Sequence, residues 1–462
     1  MTFDHQLSII FVSMKYLFSA LFLSCALVCF AQTAIIKQDQ QISQMVEEVS
    51  EKNIEANIRK LVTFQTRHSL SDTTSATTGI GAARNWIKAE MERYSRESGG
   101  RLKAEFDVFT QPADGRRITT PSVMKNVLGI LPGTDALDDR VFIVSGHYDS
   151  RASDVNDSKI FAPGANDDAS GTSAIMELAR VMSKHKFNCT IIFVAMVAEE
   201  QGLYGAVNLA KRAKEAKWNV AGMITNDIIG NSYGVETGIK DNKSVRIFSE
   251  GVSVVETPAE AAVRTSTGSE NDGRARQFAR YIKEVGERYV DQLDVKLIYR
   301  RDRYLRGGDH TPFSQAGFPG IRVTEMNENF DRQHQTVRKE NGVDYGDLPD
   351  FVDYAYTQKV ARMNIASLAN LALSPREPEN VGVVTSQLTN KTVLKWEKPK
   401  GEAPAGYYVV MRETSSPIWE KKFFIIGTTA ELNYSKDNYY FGVQSVDAEG
   451  HESLVVIPKA VR

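Results

Sequence analysis

TIIFVAMVAEE, residues 190–200, is an apolar run that ends in two adjacent carboxylates, Glu199 and Glu200. A run such as Ile191–Ala198, with no polar break, suits a strand buried on both faces, as in a parallel sheet with helices on each side. Two other segments have the same form: VFIVSGH, residues 141–147, ends in His147, and VAGMITND, residues 220–227, ends in Asp227. Between the three lie helical patterns, Ser170–Lys184 with Ile175, Leu178 and Met182 on one face, and Leu203–Ala216. This alternation predicts an α/β fold with a mixed, mostly parallel central sheet flanked by helices on both faces.

Outward from this centre, apolar positions from Ile42 to Phe64 predict a helix pair, and Ala82–Tyr94 another helix. Ala104, Phe106 and Val108 alternate as in an edge strand, and a further strand begins at Asn126. Later strands are expected at Val295–Tyr299 and Gly320–Thr324, with a closing helix over Val352–Leu373. Residues 231–294 are expected to form a lid, or helices such as Arg276–Tyr289 that wall the site. After Pro375 the texture changes to short alternating runs at Thr392–Trp396, Tyr407–Met411, Phe423–Gly427 and Tyr439–Val446. These predict a small all-β sandwich over 377–462, following a main domain over 32–376.

A chain of 462 residues is too long for one ordinary core, which agrees with this division. With 56 basic and 58 acidic residues the net charge is −2, which gives no footprint for nucleic acid. Lys15 followed by the apolar run Tyr16–Ala31 reads as a signal peptide over 1–31, with Met14 a plausible true start. Export to the periplasm or the extracellular space is therefore expected; a retained membrane anchor and a lipidated Cys25 are the alternatives. Cys25 and Cys29 lie in that segment, so the remainder holds only Cys189 and no intrachain disulfide.

Strand ends of an open parallel sheet converge on a crevice, and the ligand-type residues gather there. His147 is followed at i+2 by Asp149, spaced to support the far nitrogen of the ring. PGANDDASG, residues 163–171, sets Asp167 and Asp168 at a helix start, where acidic residues serve equally as caps or as metal ligands. Of the Glu199–Glu200 pair, one can bind a metal while the other takes a proton from water. Asn226-Asp227 reads as a turn or a ligand, and His334 as an exposed loop histidine or a ligand. Asp309 and His310, in GDHTPF at 308–313, precede the next strand and are candidates for supporting positions.

Taken together, GHYDS at 146–150, PGANDDASG, VAEEQGLYGA at 197–206, NDIIG at 226–230, GDHTPF and the His334 loop resemble the bacterial leucyl-type dizinc aminopeptidases. That family of zinc exopeptidases includes relatives of glutamate carboxypeptidase and glutaminyl cyclase, and the resemblance covers residues 120–372. It implies two zinc ions per chain: His147 and Asp227 on one, Glu200 and His334 on the other, Asp167 bridging, and Glu199 as general base. It also implies peptide or protein N-termini as substrate. Gln333 departs from the pattern, since the family often has Tyr before the last His to polarise the scissile carbonyl. His310 and Tyr304 are the substitutes the sequence offers. Residues 378–462 separately resemble a fibronectin type III domain, through Trp396, Tyr408 and YFGVQSVD at 440–447, which suggests cell-surface or polymer contact.

Three other readings stay open at this level. They are glutaminyl cyclase-like acyl transfer, carboxypeptidase action on acidic peptides through Arg300, Arg301, Arg303 and Arg306, and a binding protein with a degenerate metal site.

Overall fold

Helices α1 (Gln40–Glu48) and α2 (Glu51–Val62) start where the side chains of Asp39 and Ser50 accept hydrogen bonds from the N–H groups of Ile42 and Asn53. They are the first helices of a computed structural model that describes residues 32–386 and 388–462. The signal-peptide segment, with Met14, Cys25 and Cys29, lies outside the described residues. Among those described, no helix is long and apolar enough to cross a membrane.

Eight strands form the central sheet: β1 (Lys103–Gln111), β2 (Ser122–Leu131), β3 (Arg140–His147), β4 (Thr190–Met196), β5 (Asn219–Asn226), β6 (Ser244–Ser249), β7 (Asp294–Ile298) and β8 (Gly320–Glu325). Their order is β7-β6-β8-β5-β3-β4-β2-β1. Strands β8, β5, β3 and β4 run parallel at the centre. β2 and β1 continue antiparallel on one side, and on the other β6 lies antiparallel to β8 with β7 parallel to β6.

The apolar strands bury alternate residues on opposite faces. Phe142, Val144, Ile191, Phe193 and Ala195 join the core formed with α1, α2, α3 (Gly79–Glu97), α4 (Ala169–Met182), α8 (Arg274–Tyr289) and α10 (Tyr354–Leu373). Ile143, Ile192, Val194 and Met196 pack on the other face against Ala206, Leu209 and Ala213 of α6 (Tyr204–Glu215) and Phe313 of α9 (His310–Ala316). This two-sided burial is why the strands read as continuous apolar runs. The remaining helices are a short turn, α5 (Glu199–Gly202), and α7 (Pro258–Thr267), which buries no residue.

Strands β9 (Glu379–Val384), β10 (Thr392–Glu397), β13 (Thr429–Leu432) and β15 (Lys459–Val461) form one C-terminal sheet, ordered β13-β10-β9-β15. β12 (Lys421–Ile425), β11 (Gly406–Glu413) and β14 (Tyr439–Val446) form the other. Leu394, Trp396, Tyr407, Val409, Met411 and Val443 fill the space between them. Residues 32 and 33 belong by sequence to the main domain, yet their backbone adds to the β12 edge of this second sheet.

Residues 231–294 do not form the expected lid or wall, and none of them lines the metal cleft described below. Instead α8 and the turn before it carry the sandwich. Asp272 accepts from Arg412 at 2.8 Å and from Arg280 at 2.9 Å, and Trp419 donates to Gln277. Buried Glu452 accepts two bonds from Arg288, at 2.8 and 2.9 Å, and one from Lys422 at 3.1 Å. Burial alone would raise the pKa of Glu452, but Lys422 and Arg288 outweigh it and bring it from 4.5 down to about 2. A carboxylate depressed in the folded state contributes stability that is complete above its unfolded pKa and is lost as pH falls through the folded one. Calorimetry of the full chain is expected to show a component of stability disappearing as pH falls from 4.5 to about 2. In Glu452→Gln that component is absent and stability at neutral pH falls by about 3 kcal/mol, the scale of breaking a buried ion pair.

Candidate metal centre

Strands β3, β4 and β5 deliver their C-terminal residues to one crevice. α4 can approach closely because two contacts are bare of side chains. A Cβ on Gly146 would lie 2.4 Å from the Gly171 carbonyl carbon, and one on Gly171 would lie 2.2 Å from the Asn226 oxygen. The turn before α4 is thereby wedged between His147 and Asp227. The Asp167–Asp168 peptide in that turn is cis. Asp168 caps α4 through the Gly171 N–H at 2.9 Å and also accepts from the N–H groups of His147 and Ile228, at 2.9 and 3.2 Å. It knits both strand exits to the helix, which is more than the cap read from sequence.

The carboxylate of Asp167 is shared. Its Oδ1 lies 3.2 Å from His147 Nε2, and its Oδ2 lies 2.9 Å from His334 Nε2. Asp227 Oδ1 approaches His147 Nε2 at 3.8 Å, and Glu200 Oε1 approaches His334 Nε2 at 2.9 Å. Donor atoms of His147, Asp167 and Asp227 all lie within 4.8 Å of one another, as do those of Asp167, Glu200 and His334. Tetrahedral zinc, with bonds of roughly 2.0–2.2 Å, sets its ligand atoms about 3.3 Å apart, so both groups have the spacing of a zinc site. Glu200 Oε1 is buried, and His334 Nε2 is the group it faces, as expected of two ligands directed at one cation.

The electrostatics point the same way. Burial alone would lower the pKa of His147, but Asp149, Asp167 and Asp227 raise it well above the ordinary value. His334, similarly opposed by burial, is raised to about 10 by Glu200 and Asp167. Despite burial, Asp167 is held well below the usual carboxylate range by His334 and His147, and Asp227 is held at about 2 by Arg322 and His147. Histidines drawn toward protonation mark two places where buried carboxylates call for positive charge, the kind that a bound metal cation supplies.

Glu199 lines the same cleft, directly after the left-handed Ala198 (φ 58°) that caps α5 beyond the end of β4. Burial pushes its pKa well above the ordinary value; His147 opposes the rise, and Asp227, Glu200 and Asp309 add to it.

The supporting residues differ in detail from their sequence reading. His147 Nδ1 is bonded to the main-chain oxygen of Asp149 at 3.1 Å, whereas the Asp149 carboxylate is 3.7 Å from the ring. That carboxylate accepts instead from the N–H groups of Glu199 and Glu200, at 3.2 and 3.1 Å, fixing the start of α5. Asp309 is fully buried with no hydrogen bond to either oxygen, and burial raises its pKa to about 8. His310 Nε2 meets the Arg301 carbonyl at 2.9 Å, and Tyr304 is 80% exposed beside Arg300. Neither lines the cleft, so neither takes the place of the missing tyrosine. Gln333 does line it: its Nε2 donates to Asp167 Oδ2 at 3.2 Å, and its Oε1 is buried without a partner.

The profile of peptidase family M28 matches residues 126–357. A probable zinc metalloprotease of Leptosphaeria maculans is 48% identical over 91% of this chain and 97% of its own length. Another, of Pyricularia oryzae, is 44% identical over 91% of this chain and 84% of its own. The chain belongs to peptidase family M28.

As an M28 peptidase it is a zinc-dependent hydrolase. These relatives are fungal, which corrects the bacterial affiliation suggested by the motifs; those motifs encode metal chemistry and carry little of lineage. Solved structures share the fold at low identity. The Legionella pneumophila LapA aminopeptidase matches with a TM-score of 0.50 at 18% identity, over 74% of this chain and 78% of that one. A Macrostomum lignano glutaminyl cyclase gives 0.52 at 15%, over 75% and 97%.

Several residues of this M28 site carried no flag in the sequence. Arg151 donates to Glu200 Oε2 at 2.9 Å and stands 2.5 Å from His334 Nδ1. Arg322, fully buried, contacts Asp227 Oδ2 at 2.9 Å; a charge inside the apolar run of β8 was the available signal. Asp347 holds the Asp167 turn by accepting from the N–H groups of Asn166 and Asp167, at 2.8 and 2.7 Å. Because Asp167 serves both donor groups, Asp167→Ala is expected to bring zinc below one per chain, while His334→Ala retains about one. Elemental analysis after desalting checks this, and an unchanged count in Asp167→Ala would remove the shared-ligand assignment.

Proposed function

We propose that this M28 peptidase is an exported aminopeptidase that removes N-terminal residues from peptides with two zinc ions. His147 and Asp227 would hold one, Glu200 and His334 the other, and Asp167 both. The observation that carries the reading is the division of the Asp167 carboxylate between His147 and His334. Bound there, zinc would polarise the scissile carbonyl and lower the pKa of water toward neutrality.

The chain's own groups complete the reaction. Glu199 faces the cleft and its carboxylate has no hydrogen bond among the described residues, so it is free to take the proton of the attacking water and pass it to the leaving amine. Its burial and acidic neighbours favour the protonated form, which suits the second transfer, while metal cations bound beside it would favour the ionised form needed for the first. Gln333 Oε1 accepts from the free α-amine of the substrate, and its Nε2 keeps Asp167 in place. An acceptor for the amine is the element an aminopeptidase needs and an endopeptidase does not. The aminopeptidase among the fold neighbours adds support.

The apolar segment before residue 31 is the basis for export. The C-terminal sandwich, with β9, β10 and β13 in one sheet and β12, β11 and β14 in the other, is read as a fibronectin type III-like unit for attachment to a surface or polymer.

Glu199→Gln is expected to keep its zinc and lose roughly 10²-fold or more in kcat on aminoacyl chromogenic substrates, the scale of general-base removal. Full activity in this variant would exclude Glu199 as base. Gln333→Ala is expected to raise KM about 10-fold for substrates with a free amine and to leave zinc bound, the loss of one bond to a charged group. An unchanged KM would remove Gln333 from amine recognition.

A further inference from the structure

Over the metal donors lies a cleft of about 300 Å³ whose walls include Arg117, Arg151, Arg303 and Arg306. Two of these four already have carboxylate partners. Arg151 donates to Glu200 Oε2 at 2.9 Å, and Arg303 to Glu328 Oε2 at 2.6 Å and Asp302 Oδ1 at 3.2 Å. The other two have none among the described residues. Arg117 is exposed, and its guanidinium makes one bond, at 2.6 Å, to the main-chain oxygen of Glu200. This fixes it beside the turn that carries Glu199 and Glu200 and leaves most of its N–H groups free. Arg306 is exposed, with no ion pair or side-chain hydrogen bond.

The surrounding groups sharpen the contrast. Arg300 lies over the Tyr304 ring at 3.7 Å, and Arg301 leans toward Glu250 at 3.7 Å, so Arg306 is the member of that basic loop left uncompensated at the cleft. Asp114, close to Arg117 in sequence, is occupied by the N–H groups of Arg116, Arg117 and Ile118 and by the Tyr204 hydroxyl. Of the four acids that line the cleft, Asp167 meets the two histidines, Glu200 meets Arg151 and His334, and Asp227 meets Arg322, while Glu199 pairs with no arginine among the described residues. Among the described residues no carboxylate pairs with Arg117 or Arg306.

We infer that Arg117 and Arg306 are specificity residues that receive a carboxylate on the peptide substrate, an inference that rests on the peptidase reading of the same site. A guanidinium offers planar, paired donors that match a carboxylate, and bonds in which both partners are charged are the stronger kind. Leu203 and Leu305 line the same cleft and offer apolar surface to the stem of such a group. The carboxylate has two possible sources, an Asp or Glu side chain near the substrate N-terminus or the α-carboxylate of a short peptide.

The test compares kcat/KM on matched peptides. C-terminally amidated tripeptides with Asp or Asn at the first or second position isolate the side chain, and the free acid against the amide of the Asn peptide isolates the α-carboxylate. At least one pair is expected to favour the acid by about 10-fold, the low end for hydrogen bonds to charged groups given the exposure of both arginines. The preference falls toward 1 in Arg117→Gln and Arg306→Gln and weakens at high salt. Arg300→Gln, outside the cleft, keeps it. Cleavage of every peptide with ratios near 1 would overturn the inference and leave the peptidase reading intact. If no peptide with a free N-terminus is cleaved, the aminopeptidase reading fails instead. Calorimetric Kd values of the zinc-loaded Glu199→Gln protein for the same peptides then decide separately: tighter binding of the acids, lost in Arg117→Gln and Arg306→Gln, supports the carboxylate site, and equal Kd values reject it.

Discussion

The division of one carboxylate between two histidines sets the terms for the rest of this structure. Asp167 can serve both sides only if its turn is held in place, and much of the surrounding polar chemistry does that. Asp347 takes two consecutive N–H groups of the turn. Arg67, buried, donates to the carbonyls of Tyr148, Pro163 and Gly164, at 2.7, 2.6 and 2.8 Å, and so joins the exit of β3 to the start of the turn. Asp168 ties the same turn to the exits of β3 and β5. Each brace uses backbone groups that would otherwise be buried unpaired, so the rigidity of the site and the satisfaction of its main chain are the same set of bonds.

This arrangement concentrates negative charge in a place with little water, a cost that is met unevenly. On the His147 side Asp227 already shares its charge with Arg322. On the His334 side Glu200 is braced by Arg151 through one oxygen while the other faces His334 Nε2 at 2.9 Å. The two donor groups are therefore chemically unequal although they share a ligand. A second set of buried charges, Asp272 with Arg412 and Arg280 and Glu452 with Arg288 and Lys422, joins the sandwich to α8 on another part of the molecule, where it leaves the cleft untouched.

Legibility in the sequence followed burial. Where a segment is buried on two faces or on one regular stripe, as in β3, β4, β5, α4 and α10, its apolar pattern shows directly and the strand and helix were expected close to where they occur. β6 and α7 were not expected. β6 is a short strand at a mixed, antiparallel flank of the sheet, and α7 buries no side chain, so neither carries a period to read. Supporting residues faded for a related reason. Arg151, Arg322 and Asp347 act through partners 183, 95 and 180 residues away for His334, Asp227 and Asp167 respectively, and only the folded chain brings such pairs together.

By itself the sequence determined the α/β class, the strand-end positions of His147, Glu199, Glu200 and Asp227, and the chemistry of those residue types, because hydrophobic period and ligand identity are local properties. Tertiary structure alone decided that the Asp149 carboxylate steadies α5 more closely than the His147 ring, that His310 meets the Arg301 carbonyl, and that Gln333 lines the cleft. It also decided which arginines are left without a carboxylate. These are matters of distance and competing partners in three dimensions, and a carboxylate or a guanidinium has no fixed role until its neighbours have taken up their own.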